Sequence, residues 1–488
     1  MEADFETVIG LECHVELSTR TKMFCGCRNE FGAPPNTNVC PVCLGHPGSL
    51  PVPNERAIEY IVRIGLALSC EVAPHSVFHR KNYFYPDMPK NFQISQYDLP
   101  ICVGGHLDIE VDGEVRRIGI TRVHMEEDTG KTTHAGATGR IARADYALVD
   151  YNRAGVPLVE VVSEPDLRST EEARAYLTEL RSTLEALGVS DVRMEEGSLR
   201  CDANISVRPR GAEGLGTKVE IKNLNSVRSL ERALRFEEER QRSVLSAGGT
   251  LVQETRHWDE DRGSTHTLRS KEEAFDYRYF PEPDLPPLEP DLDWVESIRA
   301  SLPELPAARR ARYEAQPFEL TREQARVLVA EPTLSNLFEQ TVTELGGVAP
   351  RTVANWIVQN LVAVMNERRL APESLQLEPK QLAGVIGLVE DGTVSVTAGK
   401  QVLDEVVATG KPAEQVIQDK GLRQVTDTST LEEWVNEAIA ENTGPVEQFR
   451  AGKEAALNAL VGQVMKRSCG SANPTLVQDL LRQRLSGS

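Results

Sequence analysis

The chain of 488 residues lacks any apolar run long enough to cross a bilayer. Its first residues, Met-Glu-Ala-Asp-Phe, offer neither the basic nor the apolar region of a secretory leader. A cytoplasmic protein with no membrane partner is therefore expected. Positive charge is scarce: 54 Lys and Arg stand against 74 Asp and Glu, for a net charge of −20. That balance excludes a DNA binder that works through a broad electrostatic footprint. Internal repeats and low-complexity tracts are absent, which excludes arrays and tethers. A disulfide framework is absent too. Of nine cysteines, four are clustered and the rest are scattered singly in apolar contexts, the usage of a reducing compartment.

What is present begins at Val8-Ile-Gly-Leu-Glu-Cys-His-Val-Glu-Leu. Leu11, Cys13, Val15 and Leu17 alternate with Glu12, His14 and Glu16, so the period of two predicts a strand with one face in the core. The other face carries acid, imidazole, acid. Carboxylate oxygen and imidazole nitrogen are the usual ligands of catalytic divalent ions. Three further segments repeat the pattern. Ile118, Ile120 and Val123 lead into His124, Glu126, Glu127 and Asp128. Arg200, Asp202, Asn204 and Ser206 alternate with Leu199, Cys201, Ala203, Ile205 and Val207. Lys218, Glu220 and Lys222 stand opposite Val219 and Ile221. Four such strands predict a sheet with one buried and one chemically equipped side. Two carboxylates 4 Å apart repel by about 4 kcal/mol at an effective dielectric of 20, so metal ions or Lys and Arg must neutralise them.

The length predicts two to four domains. Up to about residue 290 strand patterns alternate with turns and two helices, 169–187 and 227–245. The first opens on a capping box and stops at Gly188. The run Phe280-Pro-Glu-Pro-Asp-Leu-Pro-Pro-Leu-Glu-Pro cannot sustain a helix or central strand and reads as a linker or an extended wall. Helical patterns follow at 295–314, 320–345, 350–369, 378–390 and 394–408, with a break near Gly410-Lys-Pro. The fold class is α+β: a large, mostly antiparallel sheet domain over 1–293, a helical domain over 294–410 and a small helical tail over 411–488. The acidity sits in the first four-fifths. From Lys411 on there are nine basic and ten acidic residues, and from Arg450 on six and two, so a polyanion could dock on the tail.

Cys25-Gly-Cys27 and Cys40-Pro-Val-Cys43 form two tight thiol pairs joined by a loop with Gly32, Pro34 and Pro35. Two such pairs complete a tetrahedron, and a structural Zn²⁺ held by Cys25, Cys27, Cys40 and Cys43 is the expectation, with His46 as a substitute ligand.

These residues also carry a resemblance. The stretch from Phe5 to Leu17, Arg80-Lys-Asn-Tyr-Phe-Tyr-Pro-Asp, Gln93-Ile-Ser-Gln, His124-Met-Glu-Glu-Asp, Gly197-Ser-Leu-Arg-Cys-Asp-Ala-Asn, Lys222-Asn-Leu-Asn-Ser and Asp276-Tyr-Arg-Tyr-Phe-Pro-Glu-Pro-Asp resemble the family of B subunits of bacterial aspartyl/glutamyl-tRNA amidotransferases. The tail motifs Leu460-Val-Gly-Gln-Val-Met-Lys and Ala472-Asn-Pro extend the likeness to about residue 485. The resemblance implies a ligase subunit that uses ATP and Mg²⁺ to phosphorylate the side-chain carboxylate of Glu on tRNA-Gln, or of Asp on tRNA-Asn. Ammonia from a glutamine amidase subunit then attacks, and a small third subunit ties the two together. The partners implied are those two subunits and misacylated tRNA.

Residue by residue, the resemblance places Glu12, His14, Glu126, Glu127 and Glu220 at a metal-centred site, with Asp202 beside them. It makes Glu12, His14, Glu127 and Glu220 the Mg²⁺ ligands. Charge and position make Lys81, Lys90 and Arg200 candidates for phosphate contacts. Tyr83, Phe84 and Tyr85 suit either a nucleotide pocket or the core. Two other readings stay open on the residues alone: a metal-dependent hydrolase or nuclease, and a non-catalytic tRNA-binding adaptor built on the tail. The chain carries no amidase signature of its own, so ammonia must come from elsewhere.

Overall fold

The computed structural model describes residues 4–135, 144–270, 277–425, 427–468 and 472–486; Asp276 of the last strand-domain motif lies outside them. The chain divides into two compact units, Met1–Pro306 and Ala307–Ser488.

The first unit is built on strands β1 (Phe5–Glu16), β2 (Glu71–Val72), β3 (His79–Asn82), β4 (Phe92–Ser95), β5 (Cys102–Val111), β6 (Glu114–Glu127), β7 (Lys131–Ala135) and β8 (Tyr146–Asp150). It continues with β9 (Pro157–Ser163), β10 (Leu199–Pro209), β11 (Val219–Leu224), β12 (Glu254–Asp259), β13 (Ser264–Ser270) and β14 (Phe280–Pro281). Among the described residues nine of them form one sheet in the order β13-β12-β11-β10-β1-β9-β6-β5-β2. Its pairings are antiparallel except β11–β12. The period of two sends Leu11, Cys13 and Val15 of β1 into the core with Val159 and Val161 of β9 and Leu199, Cys201 and Ala203 of β10. Helices α1 (Glu55–Ala67), α2 (Thr170–Leu187) and α3 (Val227–Ser246) cover that face. Ser169 caps α2 through the Glu172 N–H, and Gly188 ends it at φ 65°, a backbone that a Cβ would strain. The opposite face of the sheet is left for chemistry.

The proline-rich run is a wall rather than a linker. Phe280 pairs with Arg80, Leu288 with Ser76, and Glu282 accepts two hydrogen bonds from the Arg80 guanidinium at 2.7 Å. Helix α4 (Leu292–Ala300) then buries Val295 and Ile298 in the same core. The chain therefore leaves this core later than the expected break at 293.

The second unit is helical. The expected run 295–314 is two helices, Leu292–Ala300 of the first unit and then Pro306–Glu314, and 320–345 is also two, Arg322–Val329 and Pro332–Leu345. Pro303, Pro306 and Pro332 explain both breaks, since proline cannot donate within a helix interior but suits its first turn. One core gathers side chains from Tyr313 to Ile417 and another from Leu431 to Leu485. The helix Ala413–Lys420 buries Ala413, Val416 and Ile417 in the former, so the tail core starts after the Gly410 break, not at it. Among the described residues no helix is long and apolar enough to cross a membrane.

Candidate active site

Register decides which polar side chains meet. On β1, Glu12 stands opposite Asp202 of β10 and His14 opposite Arg200; across the other edge His14 stands opposite Glu160 of β9, which in turn faces His124 of β6. His14, Glu160 and His124 thus form one row over three strands. They line a cavity of about 460 Å³ together with Glu12, Lys81, Glu126, Asp202, Lys218, Glu220 and Lys222, walled by Tyr97, Tyr277 and Tyr279.

One ligand atom each from His14, Glu126 and Glu160 lies within 4.8 Å of the other two. The His14 Nε2 is 3.7 Å from Glu160, and the buried His124 Nε2 reaches Glu160 at 3.1 Å and Glu126 at 3.5 Å. Glu126 also accepts from Ser95 at 2.7 Å and Gln93 at 3.0 Å, with the Lys81 ammonium at 3.5 Å. Burial opposes the charge on each of these groups, yet the opposite charges win. The Glu160 carboxyl is held down at about 2 by His124 and His14, and Glu126 lies well below the usual range through Lys81 and His124. The His124 imidazole is lifted to about 9 by Glu160 and Glu126. Two buried carboxylates that stay ionised, with an imidazole beside them and an open cavity above, are a donor set suited to a divalent cation.

A second acid–base group flanks the trio. Lys222 bridges Asp202 at 2.6 Å and Glu220 at 3.0 Å, Thr255 donates to Glu220 at 2.7 Å, and Asn204 donates to Glu12 at 2.8 Å. The Asn204 Oδ1 is buried and has no partner among the described residues. Asn204 also lines an adjoining, mostly apolar cleft of about 230 Å³ that includes Gly10, Val8, Pro165, Ile205 and Leu215, with Glu12 and Lys218 common to both spaces.

A sequence model of the GatB/GatE catalytic domain matches residues 7–296, and one of the GatB domain matches 336–485. The chain belongs to the GatB/GatE family. Similar relatives, each named as the B subunit of an aspartyl/glutamyl-tRNA(Asn/Gln) amidotransferase, include those of Carboxydothermus hydrogenoformans, 52% identical over 99% of both chains, and Moorella thermoacetica, 53% identical over 99% of this chain and 100% of its own. That of Frankia casuarinae is 54% identical over 100% of this chain and 97% of its own. Every cavity side chain named above falls inside the catalytic-domain match of this GatB/GatE member.

Of the residues expected at the site, Glu12, His14, Glu126, Asp202, Glu220 and Lys81 share the cavity, whereas Glu127, Lys90 and Arg200 do not. Glu127 follows Glu126 on one strand and must point to the other face. There it is buried, accepts from the Ile94 N–H at 2.9 Å and is ion-paired with Lys90. The expected Mg²⁺ set of Glu12, His14, Glu127 and Glu220 does not converge; His14, Glu126 and Glu160 do. Arg200 is drawn to Asp128 at 2.5 Å and Glu16 at 3.7 Å. Phe84 is 83% exposed and Tyr85 is exposed too, so neither is core. Glu160 had a signal of its own. Glu160 is the single acid in Pro157-Leu-Val-Glu-Val-Val, and a charge inside an apolar strand demands a partner.

The four thiols also meet. One Sγ each from Cys25, Cys27, Cys40 and Cys43 lies within 4.8 Å of the rest, and His46 is not among them. The Cys43 thiol is pulled down to about 4, first by a hydrogen bond from Cys25 and further by Lys22, while Cys25 is pushed up. Thiols arranged so fit a soft tetrahedral ion such as Zn²⁺.

Proposed function

We propose that this chain is the subunit of a tRNA-dependent amidotransferase that activates the side-chain carboxylate of misacylated Glu-tRNA or Asp-tRNA with ATP, so that ammonia can displace phosphate. The observation that carries this reading is the convergence of His14, Glu126 and Glu160 on the floor of a cavity rimmed by Lys81, Lys218 and Lys222, in a chain that matches the GatB/GatE catalytic domain. A carboxylate cannot expel oxide, so one oxygen must first become a phosphate leaving group, and transfer of that phosphoryl group needs positioning and charge neutralisation above all.

His14, Glu126 and Glu160 would hold a Mg²⁺, whose chemistry is to clamp phosphate oxygens and offset their charge. The protein does the rest. Lys81, Lys218 and Lys222 offset charge on the phosphoryl group and on the substrate carboxylate. Lys222 holds Asp202 and Glu220 in place and favours the charged form of Glu220, and His124 does the same for Glu160 and Glu126. The apolar cleft over Gly10 suits the nucleotide base. Gly10 and His14 are four residues apart on β1, about 13 Å at strand rise, which lets an extended triphosphate run from base to trio.

The partners are an amidase subunit, a small linking subunit and tRNA, with structural Zn²⁺ at the four thiols. The tail's basic footprint is narrower than its sequence suggests. Arg467 is paired with Glu437 and Glu441, Arg482 with Glu454 and Arg484 with Glu432, leaving few phosphates to be neutralised and a shallow salt dependence. The test is reconstitution with the two partner subunits and γ-labelled ATP. Phosphate release should require Glu-tRNA or Asp-tRNA and should vanish in His14→Ala while glutamine hydrolysis persists. Release that is indifferent to tRNA, or intact in His14→Ala, would sink the reading.

A further inference from the structure

Lys22 is 0% exposed, and a buried ammonium is costly unless charge and hydrogen bonds compensate it. No carboxylate lies within ion-pair distance of it among the described residues. Its Nζ donates to the Tyr151 carbonyl at 3.2 Å and to the Cys43 Sγ at 3.7 Å. Four thiolates around a divalent ion carry a net charge of about −2, so the missing counter-charge of Lys22 and the excess charge of the thiol centre answer each other.

The same loop grips the turn that follows β8 at several points. The Asn36 N–H donates to Asp150 at 2.9 Å and its side chain accepts from the Tyr151 N–H at 2.8 Å. The Asn38 N–H donates to Asn152 at 2.7 Å, and Asn152 donates back to the Pro34 carbonyl at 2.7 Å. From that turn Arg153 reaches the Thr129 and Gly130 carbonyls at 3.0 and 3.1 Å and Asp128 at 3.5 Å. Asp128 binds Arg200 at 2.5 Å, and Arg200 is the strand neighbour of His14.

We propose that Lys22 is the positioning residue through which the four-thiol metal centre holds the 149–155 turn, and with it the Arg153–Asp128–Arg200 corner beside the active face. The proposal rests on the zinc reading of the thiols. It concerns a side chain that binds neither metal nor substrate and acts through a thiolate on one side and a backbone carbonyl on the other.

The test uses the full-length chain. Lys22→Met removes the charge and keeps the length. Zinc should leave to a chelator at least tenfold faster than from the unaltered chain, and amide exchange over 149–155 should rise. Lys22→Arg should restore zinc retention, which a purely space-filling role would not require. Asn36→Ala should raise exchange over the turn while zinc stays bound, because it cuts the grip without touching the charges. Should Lys22→Met fail to fold, the unaltered chain decides: stripping its zinc should raise exchange over 149–155. Unchanged exchange on stripping, or Lys22→Met that keeps zinc and exchange as before, would overturn the proposal. An unaltered chain that contains no zinc would overturn the metal reading itself, a separate result.

Discussion

His14, Glu126 and Glu160 come from three strands of one sheet and reach one another through register, whereas the four thiols come from a loop between Cys25 and Cys43 and reach one another through spacing. The trio is flanked by the protein's own cations, Lys81 and His124, and opens on a cavity. The thiol centre has Lys22 behind it and a turn gripped in front. A distributed site can exchange ligands and substrate because the sheet holds its donors in place without an ion. A local site built on a Gly- and Pro-rich loop has no such frame, so on the zinc reading a bound ion would have to supply the order. The first arrangement suits chemistry, the second architecture.

The largest effect expected from breaking this comparison is at Glu160. Glu160→Gln removes one carboxylate of the trio and the partner of His124. Acyl-phosphate formation should fall about a thousandfold, or about 4 kcal/mol of barrier, with zinc content unchanged by elemental analysis. Cys40→Ser should do the reverse. Zinc should be lost and the 25–50 loop loosened in amide exchange, while Mn²⁺ binding at the trio, followed by titration, should weaken without vanishing. Retained zinc would contradict the local design.

Smaller still is Glu127→Gln, which leaves Lys90 buried without its counter-charge. Unfolding free energy should drop by about 3 kcal/mol in denaturant titration, with Mn²⁺ affinity unaltered. Loss of Mn²⁺ binding would return Glu127 to the metal set.

The smallest effect is a pH slope. Burial, then the neighbouring Asp128 carboxylate, lifts the Glu16 carboxyl from 4.5 to about 8 against the pull of Arg200 and Arg153. The folded chain therefore binds a proton that the unfolded chain releases above 4.5, so Glu16 subtracts stability as pH rises from about 4.5 to 8. In Glu16→Gln that part of the slope should be absent, and the variant should gain on the unaltered chain toward pH 8. Parallel stability curves would refute the assignment.

The strand faces of Glu12, Asp202, Glu220 and Lys222 were legible because each alternates with core residues and period two needs no tertiary knowledge. The thiol cluster was legible from spacing. Glu127 entered the expected metal set through the resemblance of His124-Met-Glu-Glu-Asp to the family motif, yet adjacent acids on a strand point to opposite faces. Glu160 stood out as a lone charge in an apolar strand, but its partners were hidden because nothing local ties β9 to β1; only the sheet order places it beside His14. The proline run at 280–290 was ambiguous for the same reason: its partners, Arg80 and Ser76, lie about two hundred residues earlier. Register between distant strands is a property of the whole sheet.

The most direct test of the trio is electron paramagnetic resonance of Mn²⁺ bound to the full-length chain. A single bound Mn²⁺ with an imidazole nitrogen coupling is expected. The coupling should disappear in His14→Ala, and binding should weaken in both Glu126→Gln and Glu160→Gln but not in Glu127→Gln. A coupling that survives His14→Ala, or a Mn²⁺ lost only with Glu127, would contradict a site built on His14, Glu126 and Glu160.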